Sequence, residues 1–185
     1  NPKLLVLDEP TTGLDATVEA EVLDLVRELR AQTDAAVLLI AHNLGVIRTM
    51  CDRVGVMYAG RIVEEGEVDS VFEDPSHPYT KGLLNSIPRR GVRKTQQKLF
   101  AIPGNLPQIG DPLPTYVYLE RCPIATDVCA TEQPPLAPRQ SEGHWARCHH
   151  PDWVDEVAEP DATGLEHTVG TERVLGMSGV SKTFR

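Results

Sequence analysis

The sequence predicts an α/β fold on parallel strands, followed by a small irregular extension, and three observations predict it. Two short apolar runs, residues 3–7 (KLLVL) and 35–41 (AAVLLIA), lack the alternation of a half-solvated strand and suit strands buried in a parallel sheet. A segment with helical periodicity lies between them, and strand–helix–strand with fully apolar strands implies a parallel sheet covered on both faces. Proline is unevenly placed: 11 of the 15 lie between Pro75 and Pro138. The chain up to residue 74 therefore reads as regular secondary structure, and the stretch after it as turns, short elements and extended chain.

The first strand stops at Asp8-Glu9-Pro10, where a breaker ends the run. Asp15 is placed to cap a helix. Val18, Val22, Leu25, Val26 and Leu29 then follow at helical spacing, with acids early and Arg27 and Arg30 late, as the helix dipole favours. The second strand leads into a short helix over about 43–50. Two extended runs, 53–58 and 61–65, flank Ala59-Gly60, which reads as a hairpin turn. Val68, Val71 and Phe72 suggest one more short helix. No internal repeat is visible.

Composition removes several classes. The chain has 185 residues and a net charge of −9, which argues against a chain-wide nucleic-acid surface. Residues 1–87 carry 7 basic and 15 acidic side chains, residues 88–112 carry 5 and 1, and residues 113–185 carry 6 and 11. Hydrophobic residues at 41% are enough for a core. No apolar run approaches the roughly 18 residues of a membrane-spanning helix, and the start does not resemble a signal peptide. Four cysteines do not make a disulfide scaffold, which favours a reducing compartment. A strand beginning almost at Asn1 suggests a chain cut from something longer.

The residues that carry chemistry stand at the front. In LLVLDEP two carboxylates come directly after an apolar strand, and ligands of open α/β sheets sit beyond the carboxyl ends of their strands. A carboxylate there is a poor core residue and a good magnesium ligand, and a second one next to it can orient a water for attack on a phosphoryl group. A bare apolar-Asp-Glu reads equally well as a strand leaving the core. The neighbouring motifs separate the two readings: residues 4–15 (LLVLDEPTTGLD), 37–43 (VLLIAHN) and 53–65 (RVGVMYAGRIVEE) resemble, in order and spacing, three motifs of the ATP-binding cassette (ABC) family. They are similar to its Walker B strand with D-loop, its switch-histidine strand and the β-hairpin beyond.

The resemblance implies a role for each matched residue. Asp8 would hold magnesium, mainly through water, and Glu9 would be the general base for the attacking water. Asp15 would sit at the interface of two ATP sites and couple them; an N-cap explains that aspartate equally well. His42, 33 residues beyond Glu9, would contact the γ-phosphate. The sequence contains no GxxxxGK[ST] loop, no glutamine loop and no LSGGQ-like signature, all of which precede Walker B in the family. Residues 1–74 are therefore expected to be the C-terminal half of a P-loop NTPase domain, and the fragment alone is expected not to hydrolyse ATP at a useful rate.

His77-Pro78-Tyr79-Thr80, the helix-like TKGLLNSIP and AIPGNLP at 101–107 resemble the C-terminal extension of the oligopeptide and dipeptide importer ATPases, here expected over 75–153. That resemblance implies ATP-driven import of peptides or similar solutes, at the cytoplasmic face of the membrane. The implied partners are a second nucleotide-binding domain, transmembrane permease subunits and, indirectly, a substrate-binding protein. Cys122, Cys129 and Cys148 stand where the subgroup has cysteines associated, with one more, with an iron–sulfur cluster. The further cysteine is expected about six residues before Cys122, where this chain has Tyr116. Three readings stay open: a three-cysteine iron–sulfur or zinc site completed by His144, His149, His150 or another ligand; a degenerate metal-free site; or simple packing of small side chains.

Cys51, at a helix–strand junction, reads as a buried small residue. Trp145 and Trp153 are expected to pack over the small subdomain, and the basic stretch Arg89 to Lys98 reads as a solvated linker. Residues 154–173 read as a linker, and 174–185 (VLGMSGVSKTFR) resemble the first strand of a second ABC domain, as in a two-cassette fusion. Two rivals from other classes are a soluble ABC ATPase that touches no membrane, and an extension acting as a metal- or redox-responsive interaction module on an ATPase scaffold.

Overall fold

The computed structural model describes residues 2–87, 101–108, 110 and 112–150. The basic stretch, Trp153, the linker and the expected second-domain strand lie outside the described residues. The elements run β1 (Leu4–Asp8), α1 (Ala16–Gln32), β2 (Ala36–Ile40), α2 (Leu44–Met50), β3 (Arg53–Tyr58), β4 (Arg61–Glu67), α3 (Val68–Glu73) and α4 (Pro78–Asn85). A 3₁₀ turn (Leu119–Arg121), α5 (Asp127–Thr131), β5 (Ala137–Pro138) and β6 (Trp145–Ala146) complete the described chain.

β1 and β2 pair in parallel, in register from Leu4 opposite Ala36 to Asp8 opposite Ile40. Their carboxyl ends are therefore flush. The covering expected on both faces is not found among the described residues: Leu4, Val6, Leu38 and Ile40 are all about half exposed. Their unbroken hydrophobicity asks for a cover that the described residues do not provide. Helix α1 starts at Asp15 as expected, but its inner face is narrower than the periodicity suggested. Leu23 and Val26 are buried, whereas Val18, Leu25 and Leu29 stay exposed.

The second sheet has the order β3-β4-β6-β5, all antiparallel. Ala59 and Gly60 turn the β3–β4 hairpin with φ of 45° and 76°. Two successive positive φ values match the right-handed twist of the flanking strands, and Gly60 takes its value without steric cost. β6 adds onto β4 from 80 residues further along, with Glu64 opposite Ala146 and Glu65 opposite Trp145. Arg147 fixes this join: its amide donates to the Val63 carbonyl at 2.8 Å and its Nε to the Ile62 carbonyl at 2.8 Å. The hairpin and the extension thus share one sheet. The core they share contains Val56, Tyr58, Val63, Val71, Tyr116, Val117, Tyr118 and Cys129. Among the described residues no helix is long and apolar enough to cross a membrane.

Candidate functional site

The flush ends of β1 and β2 bring the front residues together. Asp8 is the last residue of β1, and the Glu9 amide donates to the Ile40 carbonyl at 2.8 Å, closing the strand pair. Glu9 then turns left-handed, with φ of 46°. For a residue with a Cβ this costs on the order of 1 kcal/mol. The turn is held by the Thr12 amide on the Glu9 carbonyl and the Leu14 amide on the Thr11 carbonyl, both at 3.2 Å. On the other strand His42 stands between the end of β2 and the cap of α2. Asn43 Oδ1 accepts from the Gly45 and Val46 amides at 3.0 and 3.4 Å, so the backbone on both sides of the imidazole is fixed.

The result is a contact between residues 33 apart in sequence: His42 Nδ1 lies 3.2 Å from Glu9 Oε1. The other carboxylate oxygen of Glu9 accepts from Thr12 Oγ1 at 3.0 Å. These hydrogen bonds, His42 first and Thr12 second, hold the Glu9 carboxyl below its ordinary range, so it is an anion near neutral pH. The site is open, with the side chains of His42 and Glu9 71% and 46% exposed. Asp8 and Glu9 offer hard carboxylate oxygens at this edge, a donor set that suits magnesium. Asp15 stands differently. Its Oδ1 accepts from the Thr17 and Val18 amides, both at 3.0 Å, so in this structure it caps α1.

A second cluster, in the extension, is buried. His77 caps α4: its Nδ1 accepts from the Tyr79 amide at 3.1 Å, and its Nε2 lies 2.9 Å from Tyr116 Oη. Burial, with the nearby Arg139 cation second, pushes the His77 pKa down to about 3, so the ring is neutral. Glu64, fully buried on β4, accepts from the Ser76 and His77 amides at 2.6 and 3.1 Å and meets His144 Nε2 at 2.7 Å. All four tyrosines of the chain, Tyr58, Tyr79, Tyr116 and Tyr118, join in one set of ring contacts around this point, with centroids 4.8–6.4 Å apart.

A family model described as the oligopeptide/dipeptide transporter C-terminal region matches residues 63–129, from within β4 to Cys129. Residues 63–129 are thus similar to the C-terminal region of oligopeptide/dipeptide transporter proteins. The oligopeptide transport ATP-binding protein AppD of Bacillus subtilis is 47% identical over 148 residues, 80% of this chain and 44% of its own length. The oligopeptide transport ATP-binding protein OppD of the same organism is 42% identical over 164 residues, 88% of this chain and 45% of its own. Its dipeptide transport ATP-binding protein DppD is 42% identical over 159 residues, 85% of this chain and 45% of its own. The chain thus spans a little under half the length of these curated relatives.

Among the described residues the cysteines are not arranged as ligands. Cys122 is half-buried directly after the 3₁₀ turn. Cys129 Sγ lies 3.6 Å from Thr126 Oγ1 and 3.7 Å from His150 Nε2. Cys148 Sγ contacts the carbonyl and amide of His150 at 3.5 and 3.4 Å. Burial pushes the Cys122 thiol up to about 11 and raises that of Cys148. Of the three candidate histidines, His144 is taken by Glu64 and His149 by the Glu132 carbonyl at 3.2 Å. Only His150 of these three reaches a thiol. Among the described residues no group of three His, Cys, Asp or Glu side chains is set to hold a metal ion. Cys51 is half-buried at the end of α2, its thiol raised mainly by burial, and Trp145 lies on β6 and is 37% exposed.

Sequence reasoning missed Glu64 and the inward role of His77, and offered His144 only as a possible metal ligand. Local alternation gives no signal for Glu64. Val63 and Glu64 are successive residues, and alternation would send one of them outward. Both are buried, because β6 and the start of α4 cover the second face.

Proposed function

We propose that this chain is part of the ATP-hydrolysing subunit that powers peptide import across the cytoplasmic membrane. The observation that carries it is the convergence of Glu9 and His42, 3.2 Å apart beside Asp8 at the carboxyl edge of a parallel strand pair. The names of the relatives, oligopeptide and dipeptide transport ATP-binding proteins, support the same reading.

In this reading Asp8 holds magnesium and Glu9 orients the attacking water. An anionic carboxylate with one oxygen on Thr12 and the other on His42 is positioned to accept the water's proton. His42, fixed by the cap of α2, reaches the terminal phosphate once it leaves Glu9. When bound, magnesium neutralises charge on the phosphate oxygens. The phosphate-cradling loop and the signature come from outside residues 1–185, and a second nucleotide-binding domain closes over the nucleotide. Asp15 adjoins that interface and couples the two sites. Permease subunits receive the motion, a substrate-binding protein delivers the peptide, and the assembly lies at the cytoplasmic face of the membrane.

The test is ATP hydrolysis by the intact protein with its permease partners in vesicles, with and without Glu9→Gln. Loss of a general base costs about 10²–10⁴ in rate. The expected result is a fall in phosphate release and peptide uptake of at least about 100-fold, with ATP still bound. Unchanged turnover in the variant removes Glu9 from the chemistry. Full ATPase activity without any membrane partner, and no peptide uptake with one, would favour the soluble ATPase instead.

A further inference from the structure

The family resemblance implies a cluster ligated by four cysteines, and the residues present do not fit it. The place of the fourth ligand is Tyr116, a phenol 3% exposed whose ring packs in the shared core. Two of the three sulfurs are engaged by protein groups: Cys129 by Thr126 and His150, Cys148 by the backbone of His150.

We propose that in this chain a buried hydrogen-bonded relay from Glu64 through His77 to Tyr116 fastens the segment before the 3₁₀ turn to the start of α4 and to β4, in place of a metal. The tautomer is set by the geometry. His77 Nδ1 accepts from the Tyr79 amide, so its proton sits on Nε2 and is donated to Tyr116 Oη at 2.9 Å. The relay spans three separate stretches: β4, the start of α4 and the segment before the 3₁₀ turn. A metal ligated by cysteines would join the later stretches to one another; the phenol joins its segment to the start of α4 through His77. His77 is in turn held by Glu64 on β4, whose carboxylate accepts from the His77 amide at 3.1 Å. A buried polar chain with every member partnered rigidifies the elements it joins, and removing one member leaves its neighbours unpaired in a dry interior.

The inference stands apart from the ATP reading, because none of these residues borders Glu9 or His42 in the hydrogen bonds described. Its test uses the intact protein purified without oxygen. Iron, acid-labile sulfide and zinc are measured per chain, and thermal melting is followed with and without a strong chelator. Expected are metal contents far below one per chain, a melting temperature indifferent to chelator, and a Tyr116→Phe variant that melts several degrees lower with the same metal content. About one cluster or one zinc ion per chain, or melting that drops on chelation, overturns the proposal. A Tyr116→Phe variant as stable as the parent overturns it too. Should that variant fail to fold, metal content and chelator response of the unaltered protein still decide.

Discussion

Two carboxylate–histidine pairs belong to the two sheets of this molecule. Glu9 and His42 meet at 3.2 Å with both side chains largely in water, whereas Glu64 and His144 meet at 2.7 Å with 0% and 1% exposed. The side chains are the same and the surroundings assign the work. The exposed pair gains little from its attraction, because water screens it, and it can part to admit a ligand. The buried pair cannot part. Either member alone would be an uncompensated polar group in the interior, so the pair serves to lock β4, α4 and β6 together. A carboxylate and a histidine in contact are thus no evidence of catalysis until their access to solvent is known.

The sharpest way to break this contrast is to remove the carboxylate from each pair. Glu9→Gln is expected to leave the denaturation midpoint of the intact protein unchanged while abolishing turnover. Glu64→Ala is expected to do the reverse, costing about 3–5 kcal/mol of stability in denaturant titrations, because His144 and the amides of Ser76 and His77 lose their partner. Equal effects of the two on stability would mean that burial does not separate their roles.

Acid sharpens the contrast next. The folded His77 pKa lies at about 3 against an ordinary value of 6.5, so between these values the unfolded chain binds the proton and the folded chain does not. Its contribution to stability is therefore complete above about pH 6.5 and is lost as pH falls towards about 3, at up to about 1.4 kcal/mol per pH unit. Melting curves from pH 7 to pH 4 check the slope, and His77→Asn, which keeps a capping side chain, should flatten it. A smaller effect belongs to Asp15. Asp15→Ala is expected to cost about 1 kcal/mol in stability through the lost cap, and Asp15→Asn almost nothing. If Asn restores stability but not the coupling of two ATP sites, measured as the Hill slope of hydrolysis, the aspartate does more than cap.

The front of the chain was legible because its information is local. An apolar run, a breaker, two carboxylates and a histidine ending the next apolar run sit within residues 3–42, and strand register alone brings Glu9 to His42. The cap at Asp15 and the turn at Ala59-Gly60 were legible for the same reason. The extension was legible as a motif and opaque as a mechanism. His77 reads as a loop residue before a helix, Glu64 as one acid in the run RIVEEGE, and Tyr116 as a departure from a cysteine. Their partners lie 39 and 80 residues away, and nothing periodic marks such distances.

The sequence by itself determined the order of the elements, the position of the carboxylate-bearing strand edge and the motifs by which residues 63–129 match their family model. Apolar period, breakers, caps and spaced motifs act over a few residues and are carried by the chain's own residue order. The tertiary structure decided which polar side chains are dry. It buried Glu64, His77, Tyr116 and His144 by laying β6 and α4 over β4, and it left Glu9 and His42 in water at an open strand edge. Burial is a property of what comes to lie on top of a residue. Solvent access sets the protonation of His77 and the strength of each contact, so the division between chemistry and fastening appears only once the chain has folded back on itself.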